Sequence, residues 1–191
     1  YTTLFRSHPM SPLTKLLWLK QAHPDLMAKA SYFADIKSYL FYKLFGVFRF
    51  DVSIASCTGM LNVTTGNWDE RALALTGVQP EQLPEVVSGT TQEIGLLPDA
   101  ASAMSIPAQT PFVYGAFDGA LSNLGVGAIE KDTVAITIGT SAAVRVVTDH
   151  PVIDPKQRLF CYAVDNGLWV VGGPLNNGGD VFQWAVEHLD R

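Results

Sequence analysis

Residues 133–171 read as two consecutive β-hairpins, and no other stretch restricts the fold as tightly. Thr133-Val134-Ala135-Ile136-Thr137-Ile138 is rich in β-branched residues, and Ala142 to Val147 is a second such run. Gly139-Thr140-Ser141 between them is the tip of a hairpin. Leu159 to Val164 and Leu168 to Val171 follow, joined by Asp165-Asn166-Gly167, where Asn166-Gly167 suits a type I′ turn. Such a segment commits the last third of the chain to antiparallel sheet. The remainder alternates between helical and extended patterning, so the fold class is α/β.

Helix signals dominate the first half. Ser11-Pro12 is a helix start, with Ser as N-cap and Pro at the first helical position, followed by Leu13, Leu16, Leu17 and Lys20. Pro24 starts a short second helix. Asp35 caps a third, whose apolar face is expected to be Ile36, Tyr39, Leu40 and Leu44, with Gly46 as its stop. Val47 to Ser53 alternates like a strand, and Asp69 to Leu75 reads as a helix closed by Gly77. The stretch from Pro80 to Pro111 reads as proline-punctuated loop with short strands. Phe112 to Phe117 is predicted as an apolar strand running into Asp118, and Gly119 to Ala128 as a helix of small residues. Gly172-Gly173 and Asn176-Asn177-Gly178-Gly179 are read as a Gly-rich loop opening a last helix, Val181 to Leu189.

Composition narrows the function classes. The 191 residues are 48% hydrophobic and 16% charged, which excludes a disordered tail. No apolar run approaches the ~20 residues of a membrane span. Thirteen basic and eighteen acidic residues give a net charge of −5, without the basic footprint of a nucleic-acid binder. Cys57 and Cys161 form no disulfide framework or metal knuckle and are expected as buried thiols in a reducing, cytoplasmic setting. His8, His23, His150 and His188 show no pairing that suggests a metal site. Tyr1-Thr2-Thr3-Leu4-Phe5-Arg6-Ser7 resembles the translation of a sequencing adapter, so residues 1–7 are expected to be a scar. The last helix pattern reaches Arg191 without a stop signal, so both ends suggest part of a longer reading frame.

Three features can carry chemistry, each with an ordinary structural alternative. Asp118, between a strand and a helix, suits either a general base projecting into a cleft or a plain N-cap. Gly139-Thr140-Ser141 suits a tip whose N–H groups wrap a phosphate, or an ordinary turn. Asn177-Gly178-Gly179 before a helix suits an anion or nucleotide contact, or a plain loop. There is no Gly-x-x-x-x-Gly-Lys-Ser/Thr loop, and the dinucleotide pattern begun by Gly125-Val126-Gly127 fails at Glu130.

The three features occur together and in order. Gly115-Ala116-Phe117-Asp118-Gly119-Ala120, then Thr137-Ile138-Gly139-Thr140-Ser141, then Asn176-Asn177-Gly178-Gly179 with Gln183-Trp184, closely resembles the FGGY carbohydrate kinases. Asp51-Val52-Ser53-Ile54-Ala55-Ser56-Cys57-Thr58-Gly59-Met60-Leu61, followed by Gly66-Asn67-Trp68, is similar to the same family's substrate-domain motif. His8-Pro9-Met10-Ser11-Pro12 and Phe33-Ala34-Asp35-Ile36-Lys37-Ser38-Tyr39 look most like its gluconate kinase branch.

The resemblance implies a fragment of the two-domain actin- and hexokinase-like (ribonuclease H-like) ATPase fold, with ATP and Mg2+ as cofactors and a sugar or sugar acid as small-molecule substrate. No nucleic-acid or membrane partner is implied, and an oligomer is compatible with it. Residues 8–128 correspond to the C-terminal part of the sugar-binding domain, and 129–191 to the start of the nucleotide-binding domain. Asp118 matches the family's catalytic base, which orients and deprotonates the sugar hydroxyl. Gly139 and Thr140 match the hairpin that contacts the nucleotide phosphates, and Gly179 and Gln183 match positions lining the nucleotide pocket. Met10 stands where glycerol kinases carry a substrate-contacting Tyr, and His8 is a further candidate for contact with a sugar acid. The family's first phosphate hairpin and its later Gly-rich adenosine motif are not in these 191 residues. The chain alone is therefore expected to be inactive and to expose apolar patches beside its β segments. Competing readings are a xylulose- or glycerol-type kinase and a non-catalytic sugar-binding module. A serine hydrolase built on Ser141, Asp165 and His188 is a further reading, but it needs strand, turn, then helix, whereas Ala142 to Val147 reads as strand.

Overall fold

The computed structural model describes residues 10–130, 132–156, 158–165 and 167–189. Helices α1 (Pro12–Ala22) and α2 (Pro24–Lys29) open it, each with proline in its first turn, where the missing N–H costs nothing. Ser11 precedes α1 as predicted, but its hydroxyl does not cap the helix. It donates instead to the Thr58 carbonyl at 2.9 Å, fastening α1 to a segment 47 residues away.

Helix α3 (Ile36–Phe45) begins on Asp35, whose carboxylate accepts the Ser38 N–H, and stops at left-handed Gly46. Its buried face differs from the expected one. Ile36 is 73% exposed, and Tyr39 and Leu40 are half exposed, whereas Ser38 and Phe41 are buried. The reason is tertiary: Phe41 stacks on Tyr114 at 4.0 Å and Lys37 reaches the buried Asp51 carboxylate at 2.6 Å. An ion pair and aromatic contacts, which also include Tyr42 on Phe48 and Phe45 on Phe112, turn the helix away from its more hydrophobic side.

The strand expected over 47–53 is only three residues long, β1 (Arg49–Asp51). Asp51 accepts the Ile54 N–H and so starts α4 (Val52–Cys57) early. Helix α5 (Glu70–Thr76) follows the prediction, with Asp69 accepting the N–H groups of Arg71 and Ala72 and left-handed Gly77 ending it. Between 80 and 111 lie β2 (Glu85–Val87), β3 (Gln92–Glu93) and a helix the sequence reading missed, α6 (Pro98–Met104). The next strand, β4, is only Phe112–Val113 rather than the six residues expected. Positive φ at Gly115 then turns the chain into α7 (Asp118–Gly125).

The two hairpins form as predicted: β5 (Val134–Ile138) with β6 (Ala142–Thr148), and β7 (Phe160–Asp165) with β8 (Leu168–Leu175). Asn166 lies outside the described residues, while Gly167 has φ +82° and Asp165 pairs with Leu168 across the turn. Gly172 and Gly173 belong to β8, not to the loop expected there. A Cβ on Gly172 would lie 2.2 Å from the Val144 carbonyl, so β6 and β8 approach closely enough there to require glycine. Helix α8 (Gly179–Leu189) closes the described chain.

β1 and β2 pair in parallel, β3 and β4 antiparallel, and the hairpins merge into an antiparallel sheet of order β5-β6-β8-β7. Among the described residues, three apolar clusters hold these parts together. Leu16, Met60, Ala72 and Val78 pack α1 against α5. Phe50, Val52, Ala55 and Leu61 join Ala163 of β7, and Ala120 of α7 packs on Val164 and Val170. The expected apolar exposure is present: Ile136 and Ile138 of edge strand β5 are 63% and 69% exposed, and Phe182 of α8 is 73% exposed. Among the described residues, no helix is long and apolar enough to cross a membrane.

Candidate functional site

Asp118 is the first residue of α7, and Phe117 occupies the N-cap position, so the N-cap alternative for Asp118 does not hold. Its side chain is exposed and, among the described residues, accepts only the adjacent Gly119 N–H, at 2.7 Å. A carboxylate there sits in the favourable field of the helix N-terminus while its outer oxygen faces solvent.

Helix α4 fixes that position. The Ser53 hydroxyl accepts the Phe117 N–H at 3.2 Å, one residue before Asp118. Three residues on, the Ser56 hydroxyl donates to the Ser53 carbonyl and accepts the Ala163 N–H of β7 at 3.0 Å. Both serines are almost fully buried, so one short helix ties the start of α7 to the sheet. Lys37 reinforces the hub, donating to Asp51 at 2.6 Å and to the Tyr114 carbonyl at 3.0 Å. Burial raises the Asp51 carboxyl above its ordinary value, against the lowering effect of Lys37. Burial likewise pushes the half-buried Cys57 thiol up to about 12, with the Asp51 and Asp118 carboxylates adding to the rise. Cys57 is therefore a packing residue and not a nucleophile. Both cysteines are free and half-buried, less enclosed than expected.

A second part of the site lies at the β5–β6 tip. Gly139, Thr140 and Ser141 are exposed, and the Thr140 hydroxyl has no hydrogen-bond partner among the described residues. The Gly179 N–H donates to the Gly139 carbonyl at 2.7 Å, so the hairpin tip and the start of α8 form one surface. Added Cβ atoms show how close they are: one on Gly178 would lie 2.7 Å from the Ser141 carbonyl carbon, and one on Gly179 would lie 2.9 Å from the Gly139 oxygen. Gln183 lies one turn along α8, exposed and bonded to Glu187 at 2.8 Å.

The structure thus unites Gly139 and Gly179, and the sheet that carries them packs against α7 through Ala120. Met10 is exposed just ahead of α1, which Ser11 and Leu13 tie to the Thr58 carbonyl. The segment that follows Met10 and the residue before Asp118 are therefore fastened at opposite ends of α4, at Thr58 and at Ser53. His8 lies outside the described residues, as do residues 1–7. Ser141 sits between two strands, not before a helix, and Asp165 accepts the Ser88 hydroxyl, so the hydrolase geometry is not present.

The sequence reading missed Lys37, Ser53, Ser56 and Arg145. No local pattern singles out the serines, whose partners lie 64 and 107 residues away; Arg145 showed itself only as a lone cation in a β run.

Comparison with known proteins completes this picture. The sequence pattern described as "FGGY family of carbohydrate kinases, N-terminal domain" matches residues 2–125, well over half of the chain. The chain is 49% identical over 182 residues to a gluconokinase of Bacillus licheniformis, covering 95% of this chain and 36% of that protein. It superimposes on a gluconate kinase and on a ligand-bound xylulose kinase, both from Lactobacillus acidophilus. Each has a TM-score of 0.93 at 38% identity, over 98% of this chain and 38% of the other. The chain therefore spans little more than a third of the length of the relatives it matches. The match of its fold and of its sequence over residues 2–125 has one conclusion: the chain belongs to the FGGY family of carbohydrate kinases.

Proposed function

We propose that the complete protein carrying this sequence transfers the terminal phosphoryl group of ATP to a hydroxyl of a sugar acid, D-gluconate, giving 6-phosphogluconate. Residues 8–128 form part of its sugar-binding domain and residues 129–191 the start of its nucleotide-binding domain. The observation that carries the reading is the Gly179–Gly139 hydrogen bond, which joins an exposed hairpin tip to a helix start on a sheet that also holds the helix of Asp118.

Phosphoryl transfer passes through a loose transition state, so it demands alignment and charge neutralisation above all. Asp118 holds the acceptor hydroxyl in line and takes its proton late, because an alcohol is a weak acid until its bond to phosphorus forms. Its exposed outer oxygen, with the inner one tied to Gly119, supports that role. The Thr140 hydroxyl, unpartnered among the described residues, is a donor suited to phosphate oxygens, while the Gly139 N–H is held by the Ser141 carbonyl at 2.8 Å; Gly139, Gly179 and Gln183 line the nucleotide side. When bound, ATP with Mg2+ supplies the phosphoryl group and neutralises its charge. Met10 is assigned to the sugar side, and His8 is kept as a candidate contact on the family resemblance alone. The family's other nucleotide-binding segments are not in these residues, so this chain by itself is inactive in our reading.

The gluconokinase relatives favour gluconate over xylulose or glycerol, being far more similar in sequence than the xylulose kinase relative. The test is ATP-dependent turnover by the complete protein on D-gluconate, D-xylulose and glycerol, with the product identified by NMR. Preferential formation of 6-phosphogluconate is expected. Turnover of xylulose or glycerol alone would reassign the substrate, and no turnover with any of them would favour a non-catalytic sugar-binding module.

A further inference from the structure

Arg145 occupies the middle of β6, opposite Ala135 of β5 and Gly172 of β8. Its guanidinium reaches forward along the sheet. Nη1 donates to the Thr137 hydroxyl at 3.1 Å, two residues before the Gly139-Thr140-Ser141 tip. On the other side, a Cβ placed on Gly119 would lie only 3.2 Å from Nε, so the cation packs against the residue that follows Asp118. That Nε is buried and has no hydrogen-bond partner among the described residues. No described carboxylate forms an ion pair with the group.

A buried guanidinium donor with no acceptor is unfavourable, and a charged one more so. Such a group suits a planar oxyanion, to which arginine presents parallel donors in a rigid fork. Gly119, beside Nε, carries no side chain, and a Cβ on Gly172, the β8 partner of Arg145, would meet the Arg145 Cα at 3.2 Å, so neither neighbour places a side chain against the guanidinium. A lone cation thus stands between the hairpin tip and Asp118, where phosphate and acceptor would meet.

We propose that Arg145 is an oxyanion-binding residue of this site, holding an anionic oxygen of the reacting pair beside Asp118. The oxyanion is either the carboxylate of the sugar acid or a phosphate of the nucleotide. The inference rests on the kinase reading above and adds a residue to it.

The test uses the complete protein, comparing wild type with Arg145→Met and Arg145→Lys. If the carboxylate is the ligand, Arg145→Met raises KM for D-gluconate by about tenfold or more and leaves KM for ATP unchanged. If a phosphate is the ligand, KM for ATP rises or kcat falls by a similar factor with KM for D-gluconate unchanged. In either case Arg145→Lys recovers part of the loss, because it keeps the charge without the fork. In wild type, phenylglyoxal labelling of Arg145, mapped by mass spectrometry, falls in the presence of D-gluconate or a non-hydrolysable ATP analogue. This second measurement decides the matter if Arg145→Met does not fold. Kinetic constants within about twofold of wild type in Arg145→Met, or labelling indifferent to both compounds, overturns the proposal. Wild-type protein that phosphorylates no sugar would count against the kinase reading instead, and labelling protected by the ATP analogue would then still support Arg145.

Discussion

Replacing Gly178 with alanine tests whether the hairpin tip and the start of α8 work as one surface. The added Cβ would lie 2.7 Å from the Ser141 carbonyl carbon and 2.8 Å from the oxygens of both Gly139 and Ser141. All three are backbone atoms, so no flexible side chain can swing away. The tip and the loop must separate by about half an ångström or more to reach ordinary van der Waals distance. That movement stretches the 2.7 Å hydrogen bond from Gly179 to Gly139 toward its limit. Overpacking of this kind costs about 1–3 kcal/mol, and the whole burden falls on the surface assigned to the nucleotide phosphates. In the complete protein we expect a lower urea midpoint and a KM for ATP raised about tenfold, with KM for D-gluconate little changed. Gly139→Ala is the internal control for the steric effect: a Cβ there meets nothing closer than the Ser141 oxygen at 3.8 Å, so its unfolding midpoint should stay near wild type. Equal midpoints and equal KM for ATP in wild type and Gly178→Ala would refute the reasoning.

Two further outcomes follow from the α4 hub. Lys37→Met removes the partner of an almost fully buried carboxylate and leaves Asp51 uncompensated, at a cost of about 3 kcal/mol. Urea unfolding should show a markedly lower midpoint, partly restored when Asp51→Asn is added, because Asn keeps the cap without the charge. Cys57, with its thiol pushed up to about 12 by burial, should carry only about one thiolate in 10⁴ at pH 8. Alkylation by iodoacetamide, followed by mass spectrometry, should therefore leave Cys57 largely unmodified in the folded protein, and rapid labelling at pH 8 would contradict its placement.

Local signals were legible where the chain's own neighbours decide the structure. Asp35, Asp69, Gly46 and Gly77 mark helix ends because capping is satisfied within a few residues, and the β5–β6 and β7–β8 hairpins follow from β-forming runs around short turns. What failed was decided from far away. The inward face of α3 depends on Asp51 and Tyr114, which lie 14 and 77 residues from Lys37. Gly172 looked like loop because its need for glycine comes from the Val144 carbonyl on a neighbouring strand. For the site, Asp118, Gly139, Thr140 and Gly179 were visible through the ordered motifs of a family. The residues that hold Asp118 in place were not: Ser53 and Ser56 act through hydrogen bonds spanning 64 and 107 residues, which no local pattern encodes.

The account turns on Asp118 as the group that holds and deprotonates the acceptor hydroxyl. Steady-state turnover of D-gluconate by the complete protein carrying Asp118→Asn tests this most directly, since Asn preserves size and the contact with Gly119 but cannot take a proton. We predict that kcat falls by about 10²–10⁴-fold while the unfolding midpoint stays near wild type. Near-normal turnover in a folded Asp118→Asn protein would contradict it.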